Sequence, residues 1–209
     1  MEPVVAPTAY LPSIAYMTQV IRSDRVIIDI HEHYVKQTCR NRATIGSANG
    51  KLSLIIPVKK VLGNHTPVTA IETDNAQRWQ IHHWRAIESA YRSSPYFLYY
   101  KDDFHYLYNK SSTFLVNFNT DLFRLICKLA GIDIRFSLSE RYMTPGSYGR
   151  DLRCGLSTDL ADGRPAEPYS QVFQHKFGFI ANLSVIDLLF NIGPETRAYL
   201  ERQSLSKKL

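Results

Sequence analysis

The sequence predicts an α/β fold: a single domain over residues 1–209 with a central, partly parallel sheet, an N-terminal βαβ unit and a mainly helical C-terminal half. Three observations predict it. Residues 1–30 read strand, helix, strand within the length of a compact βαβ unit. Three helical stretches follow one another between Asp74 and Leu129. A hydrophobic content of 44% over 209 residues, with 12% aromatic, is enough for one large core and excludes a disordered polymer.

Each element has its own signal. Val4 to Ala6 is a short apolar run punctuated by Pro7 and Pro12; Ile14, Met17, Val20 and Ile21 then recur at helical spacing behind Ser13 as a cap. Arg25 to Ile30 is β-branched and bounded by charge, which predicts a second strand parallel to the first. Ala43 to Ile45 and Leu52 to Val58 flank a turn at Asn49 and Gly50, the pattern of a hairpin. Asp74 with Gln77 resembles a capping box, and Ala76, Trp79, His83, Ala86, Ile87, Ala90 and Tyr91 share one stripe of a helix ending near Arg92. A less regular helix over Tyr96 to Tyr108 carries Asp102 and Asp103. A clearer one places Leu115, Phe118, Leu122, Leu125, Ile126 and Leu129 on one face, closes at Gly131, and precedes a strand over Ile132 to Phe136. Residues 144–169 hold three of the ten prolines and four of the ten glycines, the composition of a long exposed loop or lid. The last helix starts at Ser184, spaced from Asp187 as in a capping box, and stops at Gly193 and Pro194; residues 206–209 read as a frayed tail.

Lys and Arg outnumber Asp and Glu by 25 to 19, a formal charge of +6. The placement of this excess says more than its size. Between His33 and Ile71 there is no carboxylate, and Lys36, Arg40, Arg42, Lys51, Lys59 and Lys60 supply positive charge equal to the whole net excess. Such a block is either a solvated face or a site for phosphate or carboxylate, which arginine grips with a planar fork. Nucleic acid is disfavoured: no glycine-rich phosphate loop, zinc-ligand array or aromatic-basic RNA-recognition strand is present. Cys39, Cys127 and Cys154 are odd in number and contain no CxxC pair, so neither a disulfide framework nor a cysteine metal site is expected. The absence of an apolar leader segment and of any membrane span predicts a cytoplasmic protein.

Few residues stand out for chemistry. His31 and His33 flank Glu32 and would project to one side of an extended segment, but two histidines are too few for a zinc site and read equally as polar surface. Asp29 and Tyr10 follow strand ends, where ligands bind in open sheets, although Asp29 also fits a loop-capping carboxylate. His83 lies on the apolar stripe, which makes it either a satisfied core histidine or the best general base of the seven histidines. Cys39 and Cys154 have arginines nearby but no identified base. Arg42 has no acid close in sequence, so it is either a ligand contact or the partner of Asp102, Asp103 or Asp187.

Pro7 to Pro12, the strand ending at Asp29, the run Tyr34 to Arg42, Trp79 with His83, Tyr91 before Ser94 to Phe97, and Asn182 to Asn191 together resemble the WbqC-like proteins over nearly the whole chain. The chain departs from that family's pattern at Ala6, Ser13 and Cys39, and the last departure argues against Cys39 as a nucleophile. The resemblance implies a bacterial protein of surface-polysaccharide (O-antigen, lipopolysaccharide) biosynthesis, a transferase placing an aminoacyl or acyl group on an amino sugar or sugar nucleotide. The alternative is a non-catalytic carbohydrate- or nucleotide-binding module that serves a glycan-modifying enzyme. Motif by motif, His83 and Asp29 carry over as catalytic candidates, and Tyr10, Tyr34, Lys36, Asn41, Arg42, Trp79, Tyr91, Asn182, Ser184 and Asp187 as substrate contacts. A phosphorylated sugar or other anionic small molecule is the expected partner. No cofactor, acyl donor or oligomeric state follows from the sequence.

Overall fold

The computed structural model describes residues 3–59, 63–146, 148–153 and 166–205. Val4–Pro7 and Arg25–Asp29 form strands β1 and β2. The helix between them, α1 (Ile14–Val20), begins where the Ser13 hydroxyl accepts a hydrogen bond from the Tyr16 amide at 3.2 Å. β1 and β2 pair in parallel, Val4 opposite Val26 and Pro7 opposite Asp29, as a strand–helix–strand crossover allows. A hairpin follows, β3 (Arg42–Ser47) with β4 (Gly50–Ile55), and then a two-residue ladder of β5 (Val58–Lys59) with β6 (Glu72–Thr73). Three helices come next, α2 (Trp79–Tyr91), α3 (Phe97–Asn109) and α4 (Leu115–Leu129). The chain re-enters the sheet as β7 (Arg135–Leu138) and β8 (Arg150–Asp151) and finishes with α5 (Gln174–Phe177), α6 (Val185–Ile192) and α7 (Thr196–Leu205).

The central sheet has the order β7-β2-β1-β8, every neighbour parallel. β2 and β7 extend it on one side of β1, and β8 joins on the other. The strand order therefore reverses between β1 and β8, the position at which such sheets open a crevice beyond their carboxyl ends. Tyr16 of α1 meets Phe123 of α4 edge-on at 6.5 Å, and Phe123 meets Phe136 of β7 at 5.0 Å, so α1 and α4 cover the same face. On α4 the buried stripe includes Leu115, Phe118, Leu122 and Ile126, each side chain contributing about 1.5–3 kcal/mol by leaving water. Gly193 ends α6 at φ +51, and a Cβ there would lie 2.5 Å from the Tyr96 ring, so no larger residue fits.

Several boundaries differ from the sequence expectation. Asn75–Gln77 is a separate 3-10 turn, and Arg78 at φ +49 breaks the chain before α2. The Asp74–Gln77 contact at 2.8 Å therefore caps the turn region and not one long helix. The strand expected over Ile132 to Phe136 is shifted to Arg135–Leu138. The described part of 144–169 is not all loop: Arg150–Asp151 is β8, and Tyr169 is buried. A two-residue strand is too short to leave a periodic pattern. A further helix, α7, follows Pro194, its packing carried by the buried Tyr199 and Leu200. Lys60, Cys154 and the 206–209 tail lie outside the described residues.

Candidate functional site

At the carboxyl end of β2, the fully buried Asp29 is held from three directions. Its Oδ1 accepts from the Ser139 hydroxyl at 2.9 Å and the His31 amide at 3.0 Å, and its Oδ2 accepts from Arg153 Nη1 at 2.7 Å. Arg153 stands just beyond β8 and also donates from Nε to Asp151 at 2.9 Å, so it clamps the ends of β2 and β8 across β1. The two carboxylates hold the Arg153 guanidinium firmly protonated, with Asp151 the larger influence. Close by, Arg40 makes a bidentate pair with Glu32, Nε to Oε1 at 2.8 Å and Nη2 to Oε2 at 2.5 Å, both side chains nearly out of water. Burial nonetheless raises the Glu32 carboxyl above its ordinary range. The crevice edge is thus built of carboxylates and arginines that neutralise one another.

Beneath the hairpin lies an aromatic box. The Tyr10 hydroxyl is 2.8 Å from His83 Nδ1 and 2.7 Å from the Tyr108 hydroxyl. Trp79 and Phe118 close the box, their rings edge-on at 5.0 Å. Burial pushes His83 down to about 4, against a smaller opposing contribution from the Ile55 backbone. The imidazole is therefore neutral at pH 7 and hydrogen-bonded inside the core. The i, i+4 stripe of Trp79, His83, Ile87 and Tyr91 is buried throughout.

Ile55 pairs with Arg42 across the hairpin, which places Arg42 next to this box. Arg42 makes no ion pair among the described residues, and none of Asp102, Asp103 and Asp187 reaches it. Its Nε is shielded from water and has no hydrogen-bond partner. Asn41, also buried, donates to the Ile56 carbonyl at 2.8 Å while its own Oδ1 has no partner. Tyr34 is close enough that Arg40 and Arg42 both oppose the rise that burial imposes on its hydroxyl. Lys36 is exposed on the same stretch.

Asp187 organises the other side of the hairpin. Buried in α6, it accepts from Tyr91 at 2.8 Å, Tyr169 at 2.5 Å and Gln171 at 3.1 Å, with no ion pair to a cation among the described residues; burial raises its carboxyl. It does not close a capping box: Ser184 alone caps α6, accepting from the Ile186 amide at 3.4 Å. Asn182 accepts from the Ala15 amide at 2.9 Å and so serves the first turn of α1. Both residues fasten the start of α6 to the βαβ unit.

The sequence candidates thus fall into separate clusters. Tyr10, Trp79 and His83 meet, as do Tyr91 and Asp187; Tyr34, Asn41 and Arg42 share the hairpin base, and Asp29 stands with Arg153. The His33 ring packs edge-on to His65 at 5.6 Å, and among the described residues no group of three or more His, Cys, Asp or Glu could hold a metal ion. Burial pushes the Cys39 thiol up to about 11, which leaves it unreactive at neutral pH. Arg153, Ser139, Tyr108 and Tyr169 were not singled out from sequence. Arg153 is 124 positions from Asp29, and no local spacing signals a partner so distant. Among the described residues no helix is long and apolar enough to cross a membrane.

Comparison with known proteins adds one family and one relative. The WbqC-like protein family matches residues 8–157. An uncharacterized protein of Mycobacterium tuberculosis is 26% identical over 222 residues, covering 94% of this chain and 96% of the relative. No solved structure matches the chain.

Proposed function

The chain belongs to the WbqC-like protein family, and on that premise we propose that it binds a phosphorylated sugar or comparable anionic small molecule at the hairpin base, in surface-polysaccharide biosynthesis. The observation that carries this reading is Arg42. A guanidinium with a buried, unpartnered Nε costs free energy in the unliganded protein, on the order of 1–3 kcal/mol, which an incoming oxyanion would relieve. Because Nε is shielded, the anion has to displace whatever covers it before a side-on pair can form. Lys36 supplies a second positive charge from the same stretch, and the unpartnered Oδ1 of Asn41 can accept from a hydroxyl or amide of the ligand.

Binding and presentation, without catalysis, fits best what the two catalytic candidates are doing. His83 is enclosed, held neutral and bonded to Tyr10; Asp29 is fully buried and paired with Arg153. The second reading is the acyl or aminoacyl transferase. It is favoured by the place of Asp29 at the carboxyl end of β2, next to the strand β1 that borders the reversal of strand order, where its three bonds leave about one of four acceptor sites to take a proton from an attacking amine. Thermal-shift screening with UDP- and dTDP-amino sugars and acyl-CoA tests binding, and mass spectrometry of the same mixtures tests transfer. A nucleotide-sugar shift without an amide product is the expected result. An amide that forms with wild type and disappears in Asp29→Asn would establish the transferase instead, and failure of every phosphorylated ligand to raise Tm would remove both readings.

A further inference from the structure

A cavity of about 390 Å³ opens between the end of α3 and the first turns of α4, beside Leu138 at the carboxyl end of β7. That volume is in the range of small-molecule pockets, about 300–1,000 Å³. One wall is apolar, from Leu107, Phe114, Phe118 and Leu138. Facing it are Ser111, Thr113 and Asn117, whose side chains make no hydrogen bond among the described residues, so their donors and acceptors remain available.

The far end of the cavity carries charge. Lys110 and Arg124 share the single carboxylate of Asp121, at 3.4 Å and 3.6 Å, both distances longer than a strong charge-assisted bond. Lys110 and Arg124 are well exposed and Asp121 is partly exposed, and together they sum to one positive charge. This contrasts with Arg40 and Arg153, whose forks are saturated by close carboxylates. An additional anion could join the two cations without displacing a tight pair, while Asp121 accepts from neighbouring hydroxyls of the same ligand.

We propose that this pocket is a second ligand site, for a single hexose-sized polyol ring bearing one anionic group. The ring would lie on the Phe114 and Phe118 wall with its hydroxyls on Ser111, Thr113, Asn117 and Asp121, and its phosphate or carboxylate would reach Lys110 and Arg124. The site does not depend on the Arg42 reading, since Arg42 is not among the lining residues. Phe118 is common to both regions, lining this pocket while packing against Trp79 in the aromatic box.

Titration of the full chain by NMR with glucose 6-phosphate, glucuronate, glucose and inorganic phosphate tests the proposal. Glucose 6-phosphate or glucuronate should bind saturably and perturb the 107–124 amides, with glucose and phosphate each at least tenfold weaker. Which of the two anionic ligands binds tighter distinguishes a phosphate from a carboxylate ligand. Lys110→Gln with Arg124→Gln should weaken binding as read at the 107–124 amides at least tenfold, Asn117→Leu should weaken it severalfold with Tm unchanged, and Arg42→Ala should not change the saturation of the 107–124 amides, whatever it does at the hairpin base. The proposal is overturned if no probe perturbs the 107–124 amides saturably, if glucose does so as well as its phosphate, if the double variant responds there like the parent, or if Arg42→Ala abolishes the response at those amides.

Discussion

Arg40 and Arg42 lie two positions apart in the same carboxylate-free stretch, yet they do opposite things. Arg40 turns inward to the crevice edge, where Glu32 meets its fork at both ends and neither charge is left over. Arg42 opens the hairpin, keeps an unpartnered Nε and meets no carboxylate among the described residues. The difference teaches that a block of like charge in sequence is not a single feature. Part of it is structural, neutralised by an acid just outside the block, and only the remainder can recognise a ligand.

The largest test of that contrast is Arg40→Met. It strands Glu32 without its partner, and we expect a loss of about 3–5 kcal/mol in urea unfolding. Adding Glu32→Leu should recover most of that loss, since an apolar pair of similar size often replaces a buried ion pair at little cost. If Arg40→Met is tolerated within about 1 kcal/mol, the division between structural and unspent arginines fails.

His83 sharpens the comparison from the hairpin side, because a neutral imidazole leaves the positive charge there to Arg42. Its folded pKa of about 4 is below the unfolded value of 6.5, so the unfolded chain binds the proton first as pH falls. The stability tied to the neutral ring is present above 6.5 and disappears as pH drops from there towards 4, amounting to about 3 kcal/mol. Other groups titrate in this window, so the readout is the difference from His83→Gln. The wild type should lose about 3 kcal/mol more than the variant between pH 7 and pH 4. Parallel pH profiles would mean that His83 is not held neutral by burial.

A smaller effect is expected at Asp187, a buried acid satisfied by phenols where Glu32 is satisfied by an arginine. Tyr169→Phe removes one of three donors and should cost about 1.5–3 kcal/mol in thermal unfolding. A neutral outcome would show that Tyr91 and Gln171 suffice to hold the carboxylate.

The parts legible in sequence were those with local signals. Ser13 and Ser184 as caps, the Gly50 turn and the parallel pairing of β1 with β2 follow from residues within a few positions of one another. β8, Arg153 and Tyr169 were not legible, because a two-residue strand has no period and because their partners Asp29 and Asp187 lie far along the chain. Asp187 shows how a correct local pattern can mislead. Its spacing from Ser184 suits a capping box, but the Ser184 amide donates to the Thr44 carbonyl at 2.7 Å and the Asp187 carboxylate is held instead by Tyr91 and Tyr169. Arg42 was legible as a candidate by the absence of nearby acids; that no distant acid among the described residues pairs with it required the fold.

The most direct measurement is thermal unfolding of wild type and Arg42→Ala, each with and without the UDP- or dTDP-amino sugar that most stabilises the wild type. The account predicts that apo stability does not fall, because among the described residues no partner is lost and the cost of the unpartnered Nε is relieved, while the ligand-induced rise in Tm disappears. A variant that melts far below the parent without ligand, or that is stabilised by ligand as fully as the parent, would contradict it.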